Sequence, residues 1–398
     1  MPSYNLRRFS SPDAIKSIGR EHLIALLGPH SDYLAGRGVR LPSLAEQDGL
    51  DYEGLSQALI NPDYDTPREL ANALYLIHET ATPEVMNELL EEADERGTSL
   101  ENGQDTTPAD VAIQVWLKDR EILERKHAES QLPKKCRRFE YFQTKVSPVP
   151  KFEMPSQEVL EALEHDLDEW FMSRKRGNGT RVFAFAREDG VWFLVRHGDA
   201  FKRVGSMENG RPSGVFFRPE KHDVLVYDPA LGELRVHTET KGEKDLYRRK
   251  FGLHLFGSEE FFPGTAKYDL EPLRRDGESA LACTDVEGME WAKLKEVHYL
   301  WHSPVKEVEV RKADNIFESL YARGRTMPSH PRIIGASFHV KFADSRKPRT
   351  VTLRPSNIAQ YMRDDDSVII EEWLSKRGFI KNGAESAHAE ACRVLAFP

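Results

Sequence analysis

Apolar side chains recur at helical spacing through the first third of the chain. Ile15, Ile18 and the run 23–27 follow Ser11-Pro12, and Gly28-Pro29 closes the segment. Thr66-Pro67-Arg68-Glu69 has the order of a capping box, with Leu70, Ala73, Leu74 and Ile77 behind it. Thr82-Pro83 opens a helix through Val85, Met86, Leu89, Leu90 and Ala93 that stops at Gly97. Thr107-Pro108 opens a longer one through Val111, Val115 and Trp116 to about residue 130. The Thr-Pro starts fall at unequal intervals, so the pattern predicts a small helical bundle over 1–133 and no repeat array.

The period then changes. Residues 134–155 hold Lys134, Lys135, Arg137 and Arg138, then Phe139, Tyr141 and Phe142, then prolines 148, 150 and 155. That mixture predicts a basic, proline-rich linker. A helix follows over 157–173, with Val159, Leu160, Leu163, Leu167, Trp170 and Phe171 on its buried side. Beyond it, strands are predicted at 181–186 and 191–196 around Glu188-Asp189-Gly190, and at 215–217, 223–227 and 233–239. A helix over 244–256 precedes strands at 293–301, 305–310, 332–342 and 350–353, with a helical end from 356 to 379. Strands and helices are partly segregated, which predicts an α+β fold. The expectation is a helical N-terminal bundle followed by a mixed, mainly antiparallel β-rich domain with flanking helices. Its domains would be 1–133, a β-rich α+β domain over 156–275, and a β-rich segment with a helical cap over 276–398.

Charge narrows the function. The chain of 398 residues has 65 acidic and 56 basic side chains, net −9, so it is not a protein that coats nucleic acid over its whole surface. A local basic cleft remains compatible with that balance. Cys136, Cys283 and Cys392 lie far apart and form no CxxC or zinc spacing, which predicts a reducing, cytoplasmic setting. No run approaches the roughly 20 apolar residues of a membrane span, and the N-terminus lacks the apolar core of a secretory signal.

The segment Lys221-His222-Asp223 through Asp228, Glu233, Glu239 and Lys241 carries the one constellation with metal chemistry. It resembles the core of the PD-(D/E)xK nuclease superfamily over about residues 156–256, where the predicted order is helix, strands, helix. The resemblance implies Asp223, or Asp228, and Glu239 as ligands of Mg²⁺ or Mn²⁺, with Lys241 orienting the attacking water. If 233–241 is one strand, alternation places Glu239 and Lys241 on one face, together with Arg235 and His237. That face then equally suits the solvated side of an antiparallel sheet.

Other motifs point to binding. Arg174, Lys175, Arg176 and Arg181 surround a glycine-rich turn that can present cations and free N–H groups to phosphates. Arg248, Arg249 and Lys250 form a second basic group, and 134–138 a third. Convergence of these groups would build a phosphate-tracking channel. Arg196-His197-Gly198 is similar to the phosphate-accepting tripeptide of histidine phosphatases, but it ends a predicted antiparallel hairpin and reads as a turn. Tyr247, Phe251, Phe256, Phe261, Phe262 and Tyr268 read as core aromatics. Asp364, Asp365, Asp366, Glu371 and Glu372 give the C-terminal helices an acidic, protein-docking character and argue against a recognition helix. The function expected is nucleic-acid interaction by a cytoplasmic multi-domain protein, in defence or processing, with a protein partner docked on the helical N-terminal domain or the acidic C-terminal helices. The alternatives are a metal-dependent nuclease using Asp223, Glu239 and Lys241, or a non-catalytic docking subunit.

Overall fold

The computed structural model describes residues 6–43, 49–132, 138–208, 210–263, 267–302, 305–355, 357–361 and 363–381. The chain divides into two compact units, Met1–Leu132 and Pro133–Pro398. It is an α+β protein.

The first unit is helical: α1 (Pro12–Lys16), α2 (Arg20–Leu27), α3 (Ser31–Gly36), α4 (Tyr52–Ile60), α5 (Arg68–Thr80), α6 (Pro83–Glu95), α7 (Pro108–Lys118) and α8 (Arg120–Gln131). The periodic residues Leu23, Leu27, Leu74, Ile77, Leu89, Val111 and Val115 meet in one core. Ser11 and Thr82 cap their helices by accepting the N–H groups of Ala14 and Val85. Thr107 and Asp110 form a reciprocal capping box. Thr66 does not cap α5. Its hydroxyl is held by Asp63 and Tyr33, and Pro67 stands at the cap position. The long helix expected after Thr107 is two helices, because Asp119 leaves helical geometry and caps α8 through the Glu121 N–H.

The second unit contains β1 (Arg138–Gln143), α9 (Gln157–Ser173), β2 (Arg181–Arg187), β3 (Gly190–Gly198), β4 (Lys202–Glu208), β5 (Arg211–Phe217), β6 (Glu220–Asp228), β7 (Glu233–His237) and α10 (Lys241–Phe256). It continues with α11 (Pro272–Arg275), β8 (Met289–Leu300), β9 (Val308–Lys312), α12 (Ile316–Tyr321), β10 (Arg332–Phe342), β11 (Arg349–Arg354), β12 (Ile358–Gln360) and α13 (Arg363–Lys376). Ten strands form one sheet in the order β2-β3-β6-β7-β1-β12-β11-β10-β8-β9. Every pairing in it is antiparallel.

Four expectations change here. Residues 138–143, read as linker, form the strand that joins the two halves of the sheet, with Phe139 opposite Ala359. Lys134, Lys135, Cys136 and Arg137 lie outside the described residues. The sheet also runs on across the boundary expected at 275. At the C-terminal end, 358–360 is strand, so the helix expected from 356 begins only at Arg363. Asp366 and Glu371 are buried rather than displayed, paired with Arg349 and with Lys267 and Tyr361. The acidic cap is to that extent part of the fold.

Helices α9 and α10 cover one face of the first half-sheet. Leu163, Leu167 and Phe171 of α9 and Tyr247 and Phe251 of α10 pack on Phe193, Val195, Leu225, Tyr227, Leu234 and Val236. Strand alternation therefore sends Val195, His197, Asp223 and Leu225 to the helix side. Gly190 sits in the β2–β3 turn at φ 132°, and a Cβ there would fall 2.4 Å from the Tyr227 carbonyl oxygen, so a side chain does not fit. On the opposite face, Arg235 is not free in solvent as expected but half-buried, bonded to Glu233 (3.3 Å) and Asp228 (2.8 Å). Lys267 joins Glu233 of β7 to Glu371 of α13 at 2.8 and 3.2 Å, an ionic bridge between the half-sheets.

Candidate functional site

Asp223 stands opposite Val195 on neighbouring strands, so its carboxylate enters the layer between sheet and helices, where it is 3% exposed. Its Oδ2 accepts the Tyr247 hydroxyl at 2.7 Å and lies 3.0 Å from His197 Nε2. His197 stacks on Phe171, with centroids 4.1 Å apart and planes 12° from parallel. Its Nδ1 is 3.0 Å from the Gly198 carbonyl oxygen.

Glu243 lies beside this group because Thr240-Lys-Gly-Glu243 starts α10 as a capping box. Its Oε2 accepts the Thr240 N–H and the Thr238 hydroxyl, each at 2.8 Å, and its Oε1 accepts from Arg176. Burial alone would raise its pKa, but the hydrogen bonds from Arg176, Thr238 and Thr240 outweigh that and bring it down to about 2. Burial works against the Arg176 cation, and Glu243 reverses the balance so that its pKa rises.

His197, Asp223 and Glu243 each offer a ligand atom within 4.8 Å of the others. One imidazole and two carboxylates suit a divalent ion such as Mn²⁺. All three are already engaged by the protein. An entering cation would have to displace Arg176 from Glu243 and the hydrogen held between His197 and Asp223.

The residues implied by the nuclease resemblance separate. Asp223 and Glu239 both line a cleft of about 320 Å³, together with Glu140, Lys221, His222, His237 and Lys244. Glu239 is on the outer rim, paired with Lys221 at 2.6 Å. Lys241 is not on a strand: β7 ends at His237, and Lys241 is the exposed first residue of α10. The Thr238–Thr240 turn that caps α10 breaks the alternation on which a shared face depended. Lys241 does not line the cleft, and the carboxylate brought to Asp223 is Glu243. His197, Tyr247 and Glu243 were missed as site residues. His197 stood in the Arg196-His197-Gly198 tripeptide that read as a turn, Tyr247 read as a core aromatic, and the Thr-x-x-Glu order at 240–243 announces a helix start and not a site.

The basic groups also sort themselves. On α10, Arg248 is paired with Asp245 (2.9 Å), Arg249 with Glu259, and Lys250 with Asp166 (2.9 Å). These cations are neutralised. Arg176 is committed to Glu243, and Arg181 lies 3.7 Å from Glu164. Arg174 and Lys175 are exposed, with the Arg174 guanidinium 3.7 Å from the Trp170 ring centroid. Their loop is built firmly: Asp168 accepts the N–H groups of Gly179 and Thr180, both at 2.9 Å. Lys175 adopts φ 61°, a conformation that costs a non-glycine residue roughly 1 kcal/mol or more.

Beside this loop stands an element the alternation pattern only half revealed. Strands β4 and β5 pair with each other alone and are inserted between β3 and β6, which are neighbours in the main sheet. Positions 202–218 carry Lys202, Arg203, Arg211 and Arg218 against one acid, Glu208. Arg218 joins the hairpin base to the loop, donating to the carbonyls of Lys175 (2.7 Å) and Asp199 (3.0 Å). Gly177 and Gly198 make room for it, since a Cβ on either would fall within 3 Å of its side chain. Arg218 thus ties the loop to the base of the hairpin. No protein-family model matches the chain, and no curated protein matches it.

Proposed function

We propose that this protein binds nucleic acid through the surface made by the 174–181 loop and the β4–β5 hairpin. The observation that carries the reading is the bridging of the two by Arg218, which sets the hairpin base beside the loop that carries Arg174 and Lys175. Arg203 lies on one side of the ribbon and Lys202 and Arg211 on the other. Arg174, Lys175, Arg203 and Arg211 stand in no ion pair among the described residues, unlike the paired cations of α10. A lysine held at positive φ, where glycine would be free of strain, supports a role for its charge. Such a surface binds phosphates without requiring a basic protein overall. In this reading the chain works in cytoplasmic nucleic-acid defence or processing, and its helical unit serves assembly with a protein partner. No helix among the described residues is long and apolar enough to cross a membrane.

The test is binding of labelled oligonucleotides by the full chain between about 50 and 200 mM salt, where neutralised phosphates give a steep dependence. The triple change Arg174→Ala, Lys175→Ala, Arg203→Ala should flatten the log–log slope by about 0.7 for each single-strand phosphate that is no longer neutralised. Lys241→Ala should leave it unchanged. Absence of binding at low salt would overturn the reading. A second reading, Mg²⁺- or Mn²⁺-dependent phosphodiester cleavage, draws on the meeting of His197, Asp223 and Glu243. The same oligonucleotides incubated with either ion decide it: intact products, or cleavage that survives Asp223→Asn, would exclude it.

A further inference from the structure

We propose that this surface takes single-stranded nucleic acid, with unpaired bases stacked on Phe201, which leads into β4, and Phe216 of β5. The inference rests on the nucleic-acid reading above and narrows it to one class of ligand.

A two-stranded ribbon has no core of its own, and the residues it leaves in water need a reason to be there. Phe201 is 65% exposed and Phe216 68%. Each has a guanidinium over its ring: Arg218 lies 4.4 Å from the Phe201 centroid and Arg203 5.9 Å from that of Phe216. Register explains the second pair. Arg203 faces Phe216 directly, and Gly205 faces Gly214 two residues further along the same side of the ribbon. A Cβ on Gly214 would fall 2.6 Å from the Arg203 Nε, so the glycine lets Arg203 lie across the strand and donate to the Ser213 carbonyl at 3.3 Å. The Phe216 ring remains largely exposed with a cation held 5.9 Å from its centroid.

Ring and guanidinium together match the repeating unit of a single strand, a π-face followed by a phosphate. In a duplex the base faces are already stacked, and sequence is read at groove edges by amide, guanidinium and carboxylate side chains. The side of the ribbon carrying Phe216 instead offers a ring, two glycines, Met207 and Pro212 beside its one arginine. The four-to-one excess of basic residues over 202–218 favours a polyanion over an apolar protein partner.

The experiment compares the full-length wild type with the double variant Phe201→Ala, Phe216→Ala on one mixed-sequence oligonucleotide, single-stranded and as its duplex, over a salt series. The wild type should favour the single strand, and the double variant should lose about tenfold or more of that affinity with an unchanged salt slope. Phe216→Trp should retain affinity and report stacking by quenching of its indole fluorescence. Equal binding of both forms with no effect of removing the rings overturns the inference and leaves the phosphate-binding reading standing. No salt-dependent binding of any oligonucleotide defeats both. Self-association of the wild type that disappears in the double variant would assign the rings to a second copy, and likewise overturns it.

Discussion

Glu243 concentrates the residue-scale physics of the second unit. One carboxylate caps α10, holds Thr238 and anchors Arg176, and with it the loop that presents Arg174 and Lys175. Its folded pKa of about 2 lies below the ordinary 4.5, so the ionised form is favoured by folding. Its contribution is therefore complete above about pH 4.5 and is lost as pH falls toward 2, a span worth roughly 3 kcal/mol. Glu243→Gln should cost a similar amount at neutral pH, because the Arg176 charge is left buried beside an amide. It should also flatten the fall in stability between pH 4.5 and 3. Urea unfolding at several pH values checks both. A variant that keeps the wild-type pH dependence would show that the carboxylate does not carry this load.

At the scale of elements, the sequence announced whatever its local chemistry dictates. Residues 336–342 alternate apolar and polar positions, the helix at 157–173 repeats its apolar face, and Ser11, Thr82 and Thr107 carry their own caps. Strand β1 was hidden because Arg-Phe-Glu-Tyr-Phe-Gln is short and flanked by lysines and prolines. What makes it a strand is distant: β7 on one side and β12 on the other. The β4–β5 hairpin was obscured by glycines, serines and a proline, which have low strand propensity. The site was illegible for the same reason as β1. His197 meets Asp223 across 26 positions, and Arg176 meets Glu243 across 67. Only the pairing of β3 with β6 and the packing of α10 bring them together. Because β1 is structural, a fragment beginning at residue 138 should fold cooperatively, whereas one beginning at 156 should lose the junction between half-sheets and aggregate or remain molten. Circular dichroism and thermal unfolding of the two fragments distinguish the cases. A stable, cooperative 156–398 fragment would contradict the role given to β1.

For the whole molecule, the net charge of −9 is an average over unlike regions. Carboxylates neutralise the cations of α10 and of the half-sheet junction, and leave the loop and hairpin surface basic. An acidic chain with one such surface should bind polyanions there and repel them elsewhere, which gives position as well as affinity. The hairpin can be removed to test this, because β3 and β6 already pair as far as Gly198 and Glu220 at its base. The most direct measurement is oligonucleotide binding over a salt series by the wild type and by a chain in which a short glycine-containing turn replaces residues 202–217. The account predicts that the shortened chain unfolds at nearly the wild-type temperature and loses most of its salt-dependent binding. A shortened chain that is equally stable and binds as the wild type does would contradict it.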